Sequence, residues 1–353
     1  MRWTAICALM MLAACGQPTS TEPAVDAGER SVTPSPAVAD VEEDVVADVA
    51  EEVADDVASE PDAPTHLVPE PPASQPREAF LAPAERLVAI GDVHGDIAAL
   101  RAALSVAMVI DADDHWTGGT TTVVQVGDQL DRGEDERAIL HWLEELAEEA
   151  KAVGGAVYPM LGNHETMNVE LDLRYVTEGG YADFADVAWD TADSFYAQYP
   201  DQEKGRIAAF RPGGPYAQLL ARHVIALVVG DTAFVHGGLL PEHADYGLEA
   251  INTETRAWMQ GTAPRPSLLG GDNSPVWSRH YSSSPDDADC ALLFETLDAL
   301  DVARMVVAHT VHTEGITAAC QDLVWRVDVG LASYYGGPTQ VLLIEGDTLT
   351  VLP

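Results

Sequence analysis

Four short polar runs carry most of the chemistry this chain could do: Gly91-Asp92-Val93-His94-Gly95, Gly127-Asp128-Gln129-Leu130-Asp131-Arg132-Gly133, Gly162-Asn163-His164-Glu165 and His236-Gly237-Gly238. Carboxylate, imidazole and carboxamide donors with no thiol among them suit Mn, Fe or Zn and do not choose among the three; Mn is the metal favoured here. A pair of such ions, about 3.5 to 4 Å apart, needs one ligand that touches both and open positions for water and phosphate. Asp128 is the natural bridge. Asp92 and His94 stand at i and i+2, so on an extended segment they face one side and can grip one ion together. Asn163, His236 and a later histidine then complete a second site. His309 is preferred to His312 for that role because it ends an apolar run, Val306-Val307-Ala308, as the other candidates do.

A water shared by two such ions is deprotonated near neutral pH and attacks phosphorus in line, with no phosphoenzyme required. The phosphoryl oxygens need a positive clamp, and arginine binds them two at a time where lysine is a point charge. Arg132 and Arg279 are the candidates. His164, held by a carboxylate such as Asp131, can protonate the leaving oxygen. A single Gly-Asp-X-His-Gly run is equally well a turn at a strand end, because Gly and Asp are common turn residues. Four ordered runs bracketed by glycine, where backbone must approach an ion or phosphate closely, favour a site.

The elements that must hold these groups are legible from apolar periodicity. The stretches Leu87 to Ile90, Thr121 to Val126, Ala156 to Leu161 and Thr232 to Val235 precede the four runs and are short enough to be buried strands. Each polar cluster then sits at a strand's C-terminal end, where open α/β sheets place their sites. Helices are expected near Asp96 to Val109 and Glu134 to Val153, and hairpins at Gly230-Asp231 and Gly346-Asp347. Residues 166–222, with Tyr175, Tyr181, Phe184, Trp189, Phe195 and Tyr196, read as a cap inserted beside the site, or as aromatic core packing. Tyr334 and Tyr335, in a glycine-flanked loop, are candidates for the mouth of the site or for turn packing.

Taken together the runs resemble the phosphoprotein phosphatase family, whose pattern is GDxHG, GDxxDRG, GNHE, a histidine in HGG and a late histidine. Val276-Trp277-Ser278-Arg279-His280-Tyr281-Ser282 is similar to the VWSRxYS signature of the Shewanella-like phosphatases, and Val327-Asp328-Val329-Gly330 and Arg211-Pro212-Gly213-Gly214 also look like that branch. The resemblance covers residue 86 to the end. It implies an α/β fold, a metallophosphoesterase-type sandwich of two mixed β-sheets flanked by helices, with an inserted, mostly helical cap at about 166–222. It also implies Asp92, His94 and Asp128 on one metal and Asp128, Asn163, His236 and His309 on the other. Arg132 and Arg279, with Asn163, would meet the phosphate, and His164 with Asp131 would protonate the leaving group. Gln129-Leu130 and Val307-Ala308 depart from the eukaryotic Ser/Thr enzymes without touching a ligand position, and phosphoserine, phosphothreonine and phosphotyrosine all remain open. A diadenosine tetraphosphate hydrolase-like enzyme shares the early motifs, but its usual third motif is GNHD where this chain has Glu165. A non-catalytic binding lipoprotein is a further reading, opposed by the retention of every ligand, clamp and acid.

The chain is 353 residues long with 18 Lys and Arg against 58 Asp and Glu, a formal charge of -40. Beyond residue 85 there remain 41 acids and 15 bases, which argues against nucleic acid or anionic membrane surfaces as partners. Met1-Arg2-Trp3 and an apolar run from Ala5 to Ala14 have the form of a secretory signal. Leu12-Ala13-Ala14-Cys15-Gly16 resembles a bacterial lipobox in which Cys15 is lipidated, the alternative being a conventional signal cleaved nearby. The domains expected are a lipoprotein signal at 1–15, an acidic Pro/Ala-rich tether at 16–85 and a catalytic domain at 86–353. Valines at 41, 45, 49, 53 and 57 hint at a helical stripe in the tether, but unpaired acids repel at that spacing. A cell-envelope location follows, with a phosphorylated protein or peptide as substrate and the membrane met only through the lipid. Cys290 and Cys320 form a disulfide in an exported protein, or stay as two buried thiols.

Overall fold

The computed structural model describes residues 78–353; the expected signal and lipobox lie outside them, as does all but the end of the expected tether. In chain order the elements are β1 (Phe80–Leu81), β2 (Leu87–Ile90), α1 (Ile97–Val106), β3 (Thr122–Gln125), α2 (Glu136–Ala152), β4 (Ala156–Pro159) and α3 (Asn163–Glu170). Then come α4 (Glu178–Ala182), α5 (Asp201–Phe210), α6 (Pro215–Leu220), β5 (Ala226–Val229), β6 (Thr232–Val235), α7 (Pro241–Tyr246), α8 (Leu248–Met259) and α9 (Asp287–Leu300). The chain closes with β7 (Arg304–Val307), β8 (Thr317–Ala319), β9 (Val324–Arg326), β10 (Val341–Glu345) and β11 (Thr348–Leu352).

The strands form two mixed sheets. One has the order β1-β5-β6-β7-β9-β8 and the other β11-β10-β2-β3-β4. Strand alternation explains how the sheets stack. Ala226 and Val228 share a core with Ile251 and Met259 of α8 and Leu293 of α9. Leu227 and Val229, the intervening residues, share a second core with Val88, Ala89, Val123 and Val124 of the other sheet. One face of the first sheet therefore meets helices and the other meets its partner sheet, as period-2 side-chain alternation dictates. α2 buries Ile139, Leu140, Leu143 and Leu146 along one stripe, the helical spacing read from sequence. α1 starts where Asp96 accepts the Ala99 N–H at 2.9 Å, a side-chain N-cap.

The fold starts ahead of the boundary expected at residue 86. Phe80–Leu81 adds β1 to the edge of the first sheet, in parallel with Val228 and Val229, and the Ala79 N–H donates to Glu249 Oε1 at 2.6 Å. Two residues are too few to give a periodic signal, and the flanking prolines mask them. Between 166 and 222 the described elements are helical.

Cys290 of α9 and Cys320 beyond β8 are joined, with Cα atoms 5.2 Å apart and a sequence separation of 30. Closing a loop of that size removes about 3 to 4 kcal/mol of unfolded-chain entropy. Reduction, or Cys290→Ala, should then lower the unfolding midpoint by roughly 5 to 15 °C. Thermal scans with and without reductant decide this, and coincident curves would mean that the bond constrains nothing that unfolding releases.

Candidate metal centre

Six strands point their C-terminal ends at one place. β2, β3 and β4 run parallel in one sheet, and β6, β7 and β9 run parallel in the other. The residues just past those ends are Asp92, Asp128, Asn163, His236, His309 and Asp328, all buried. The third motif differs from a simple strand end: α3 opens at Asn163, so His164 and its neighbours occupy a helix N-terminus, and the His164 N–H donates to Asp128 Oδ1 at 3.0 Å.

Asp128 Oδ2 is the point of convergence. It lies 3.8 Å from His94 Nε2, 3.8 Å from His164 Nε2 and 3.2 Å from His236 Nε2. The donor atoms of His94, Asp128 and His164 lie within 4.8 Å of one another, as do those of Asp128, His236 and His309. Asp92 Oδ2 is 3.8 Å from His94 Nε2, and His236 Nε2 is 3.0 Å from Asn163 Oδ1. Every ligand position read from sequence is thus brought to one centre. His312 is not, and its Nε2 instead meets the Ser282 carbonyl at 2.6 Å.

The polarity of these contacts tests whether cations fit. His94 Nδ1 faces the Leu130 carbonyl at 3.0 Å and His236 Nδ1 faces the Val126 carbonyl at 2.8 Å. A carbonyl only accepts, so each Nδ1 carries a proton and each Nε2 is the nitrogen turned inward. For His236 that Nε2 faces the oxygens of Asn163 and Asp128, so it can hold a proton between them or give up that place to a cation. Asp92 Oδ1 and His309 Nε2 are buried without a hydrogen-bond partner among the described residues. Unpaired buried acceptors are costly and rare, and their concentration here fits a metal site.

Protonation follows the same logic. Burial takes the His94 ring down to about 4, and burial with the nearby His236 and Arg279 takes His309 down to about 2, so both are neutral donors. Burial opposes charge on His164 and His236, but the Asp128 carboxylate, joined by Asp131 at His164 and by the Val126 carbonyl at His236, outweighs it in sum and raises both. Burial and the Asp328 and Asp128 carboxylates raise Asp92. Asp128 is held well below the usual range despite its burial, because His236, His164 and His94 surround it.

Glu165 explains how the second motif keeps its shape. Its Oε2 accepts from the N–H groups of Gly162 at 2.7 Å and Asp128 at 2.8 Å, and its Oε1 from Gln129 at 2.8 Å and Leu130 at 3.1 Å. One buried carboxylate therefore satisfies four backbone donors around the bridge; burial and the Asp128 charge push it up to about 7. The loop needs such a clamp because Asp128, Asp131 and Arg132 have φ of 55°, 66° and 69°, a region that costs non-glycine residues of order 1 kcal/mol or more each. Gly162 has to be glycine for a different reason, since a Cβ there would stand 2.1 Å from Asp128 Oδ1.

The cavity over this centre is small, about 100 Å³. In the larger clefts of about 380 Å³ beside Trp142 and about 610 Å³ beside Trp258, no three ligand atoms of the described residues converge as they do here. Arg132 and Arg279 both line the small cavity. The Arg132 guanidinium stacks 4.0 Å from the Tyr175 ring and donates to the Tyr334 hydroxyl at 3.2 Å, while Arg279 donates to Thr310 Oγ1 at 2.7 Å and the His309 carbonyl at 3.1 Å. His164 Nδ1 meets Asp131 Oδ2 at 2.6 Å, which leaves Nε2 facing the centre. Trp277, Tyr175 and Tyr335 complete the walls.

The sequence motifs include Asp328 and Glu165 without giving either a role, and they leave out Asn168 and Arg206. Asp328 offers the signal that would have found it: a carboxylate just past the short strand β9 and its buried neighbour Val327, the rule that located the others. Arg206 and Asn168 offer none, because both lie inside helices and outside the motifs read from sequence.

Fold and centre together define a metal-dependent hydrolase of phosphoric monoesters. A profile of the calcineurin-like phosphoesterases matches residues 85–312. The chain is 41% identical over 317 residues to Shewanella-like protein phosphatase 2 of Arabidopsis thaliana, covering 80% of this chain and 81% of that one. It is 28% identical over 265 residues to Shewanella-like protein phosphatase 1 of Plasmodium berghei, covering 72% and 69%. Among solved structures, a cold-active protein tyrosine phosphatase superposes with a TM-score of 0.64 at 25% identity, covering 78% of each chain. The chain belongs to the calcineurin-like phosphoesterase family, among relatives of the Shewanella-like phosphatase branch. The two-sheet sandwich expected from sequence is the fold observed.

Proposed function

We propose that the protein is a phosphoprotein phosphatase that holds two divalent ions, Mn before Fe or Zn, and works best on phosphotyrosine. The observation that carries this reading is the convergence on Asp128 Oδ2, 3.2 to 3.8 Å from three imidazole nitrogens, beneath a cavity flanked by two arginines. Asp92, His94 and Asp128 would hold one ion, and Asp128, Asn163, His236 and His309 the other. Ions bound there supply a Lewis acid for the phosphoryl oxygens and an activated water for in-line attack on phosphorus. Arg132 and Arg279 orient the phosphoryl group from two sides, with Asn163 at its base. His164, oriented by Asp131, gives the leaving oxygen its proton. Tyr175, Tyr335 and Trp277 around a small cavity suit an aryl leaving group, and the solved structure named for tyrosine phosphatase activity supports the same choice.

The test is a panel of phosphotyrosine, phosphoserine and phosphothreonine peptides and dinucleoside polyphosphates, offered to the Mn-loaded protein. Phosphotyrosine peptides should turn over fastest. Hydrolysis confined to the dinucleotides would replace this reading with that of a diadenosine tetraphosphate hydrolase-like enzyme, and inactivity on every substrate with metals bound would leave a binding lipoprotein.

The same protein is proposed to be a lipoprotein of a bacterial envelope, on the Leu12 to Cys15 run. Cys15→Ser should move it from the membrane to the soluble fraction on cell fractionation. Retention of an unprocessed chain in the membrane would mean that the apolar segment itself, or a partner, holds it.

A further inference from the structure

Arg206 lies in the middle of α5 and is 0% exposed, which is a costly place for a guanidinium. Its hydrogen bonds account for the position. Nε donates to Asn168 Oδ1 at 2.9 Å, Nη1 to the Gly180 carbonyl at 2.8 Å and to Glu136 Oε2, and Nη2 to Glu136 Oε1 at 2.8 Å and Asp131 Oδ1 at 3.2 Å. None of these partners is a candidate metal ligand. Two of them are what hold Asp131. Asn168 Nδ2 donates to the same Asp131 Oδ1 at 3.0 Å and to the His164 carbonyl at 2.9 Å, and Glu136 Oε1 accepts the Asp131 N–H at 2.5 Å.

The consequence is a division of labour between the oxygens of Asp131. Oδ1 is taken by Arg206 and Asn168, so Oδ2 is turned to His164 Nδ1 at 2.6 Å. Arg206 also fixes which end of the Asn168 amide is the donor, because a guanidinium accepts nothing and must meet the oxygen. Without it the Asn168 amide can flip, the carboxylate can rotate, and His164 loses its fixed orientation. A buried ion network adds little net stability over apolar packing of the same volume, so stability alone is a weak reason for this one.

We propose that Arg206 is a positioning residue for proton donation: reaching through Asp131 and Asn168, it sets the His164 ring for the leaving oxygen. The inference rests on His164 being the general acid, and the experiment separates the two claims. Arg206→Gln, Arg206→Lys, His164→Asn and the double variant Arg206→Gln/His164→Asn are compared as Mn-loaded proteins. Bound metal, unfolding midpoint, and kcat and KM for a phosphotyrosine peptide and for nitrophenyl phosphate are measured for each. Arg206→Gln should retain both metals and its KM values. Its kcat should fall about 10- to 100-fold on the peptide, the scale of a misplaced catalytic group, but by about threefold or less on nitrophenyl phosphate. Arg206→Lys, which keeps charge without the fork, should show the same pattern in weaker form. The double variant should be no slower than His164→Asn alone, because residues that act as a unit are not additive. Equal losses on the two substrates, or an additive double variant, would overturn the proposal, as would failure of both Arg206 variants to fold. If His164→Asn itself slowed both substrates equally, the acid assignment would fall, and this inference with it. If His164→Asn discriminated between them and the Arg206 variants did not, only the role of Arg206 would be lost.

Discussion

Asp128→Asn should abolish turnover and empty both metal positions together. The substitution is nearly isosteric, and asparagine tolerates the φ of 55° found at this position, so the loop held by Glu165 has no reason to change. What changes is charge and donor character. Oδ2 stands 3.2 to 3.8 Å from His94, His164 and His236 Nε2, and an amide there loses the negative charge that would balance two dications. Loss of any other ligand should weaken one position; loss of the bridge weakens both. Metal analysis of the purified variant, read beside its unfolding curve, settles the matter. Two ions per chain at wild-type affinity would remove Asp128 from the bridging role even if activity were gone.

The centre was legible in sequence to the extent that it obeys one rule, a donor just past a short apolar strand. Asp92, Asp128, His236 and His309 all follow it, and so does Asp328, whose neighbours Val327 and Val329 are buried. Asn163 and His164 follow it less closely, because the chain goes straight from β4 into α3 and their presentation depends on a helix N-terminus that the motif does not announce. The supports are a different kind of information. Glu165 is visible as the fourth letter of a motif, yet its bonds to Gly162, Asp128, Gln129 and Leu130 exist only once two strands lie side by side in register. Arg206 sits 75 residues from Asp131 in the chain, in a helix whose residues are buried on nearly all sides, so no periodicity marks it. The same limit applies to β1: its pairing with β5 is set by an edge that the local sequence of Phe80–Leu81 does not encode. Local patterns record where the chain turns toward the site, whereas the hydrogen bonds that hold it there record tertiary closure.

His164→Asn should leave the metals in place and slow the enzyme in proportion to how badly the leaving group needs a proton. Asn keeps a polar group at the ring's position but cannot donate from the place of Nε2, and it frees Asp131 Oδ2 from the 2.6 Å contact. A tyrosine oxygen departs from phosphorus with a conjugate acid pKa of about 10, so proton transfer helps it greatly. A nitrophenolate is stable near neutral pH and needs little help. The variant should therefore lose roughly 10² to 10⁴ in kcat on a phosphotyrosine peptide, the usual share of general acid catalysis, and far less on nitrophenyl phosphate. The ratio of the two losses is the quantity to read, under conditions in which chemistry limits both substrates. Plotted over a series of substituted phenyl phosphates, the variant's rate should depend more steeply on leaving-group pKa than that of the parent. Parallel lines, with metal content intact, would exclude proton donation and leave His164 as an electrostatic neighbour of Asp128, whose Oδ2 lies 3.8 Å from its Nε2. In that case Asp131, Asn168 and Arg206 would be holding a charge in place instead of a proton donor.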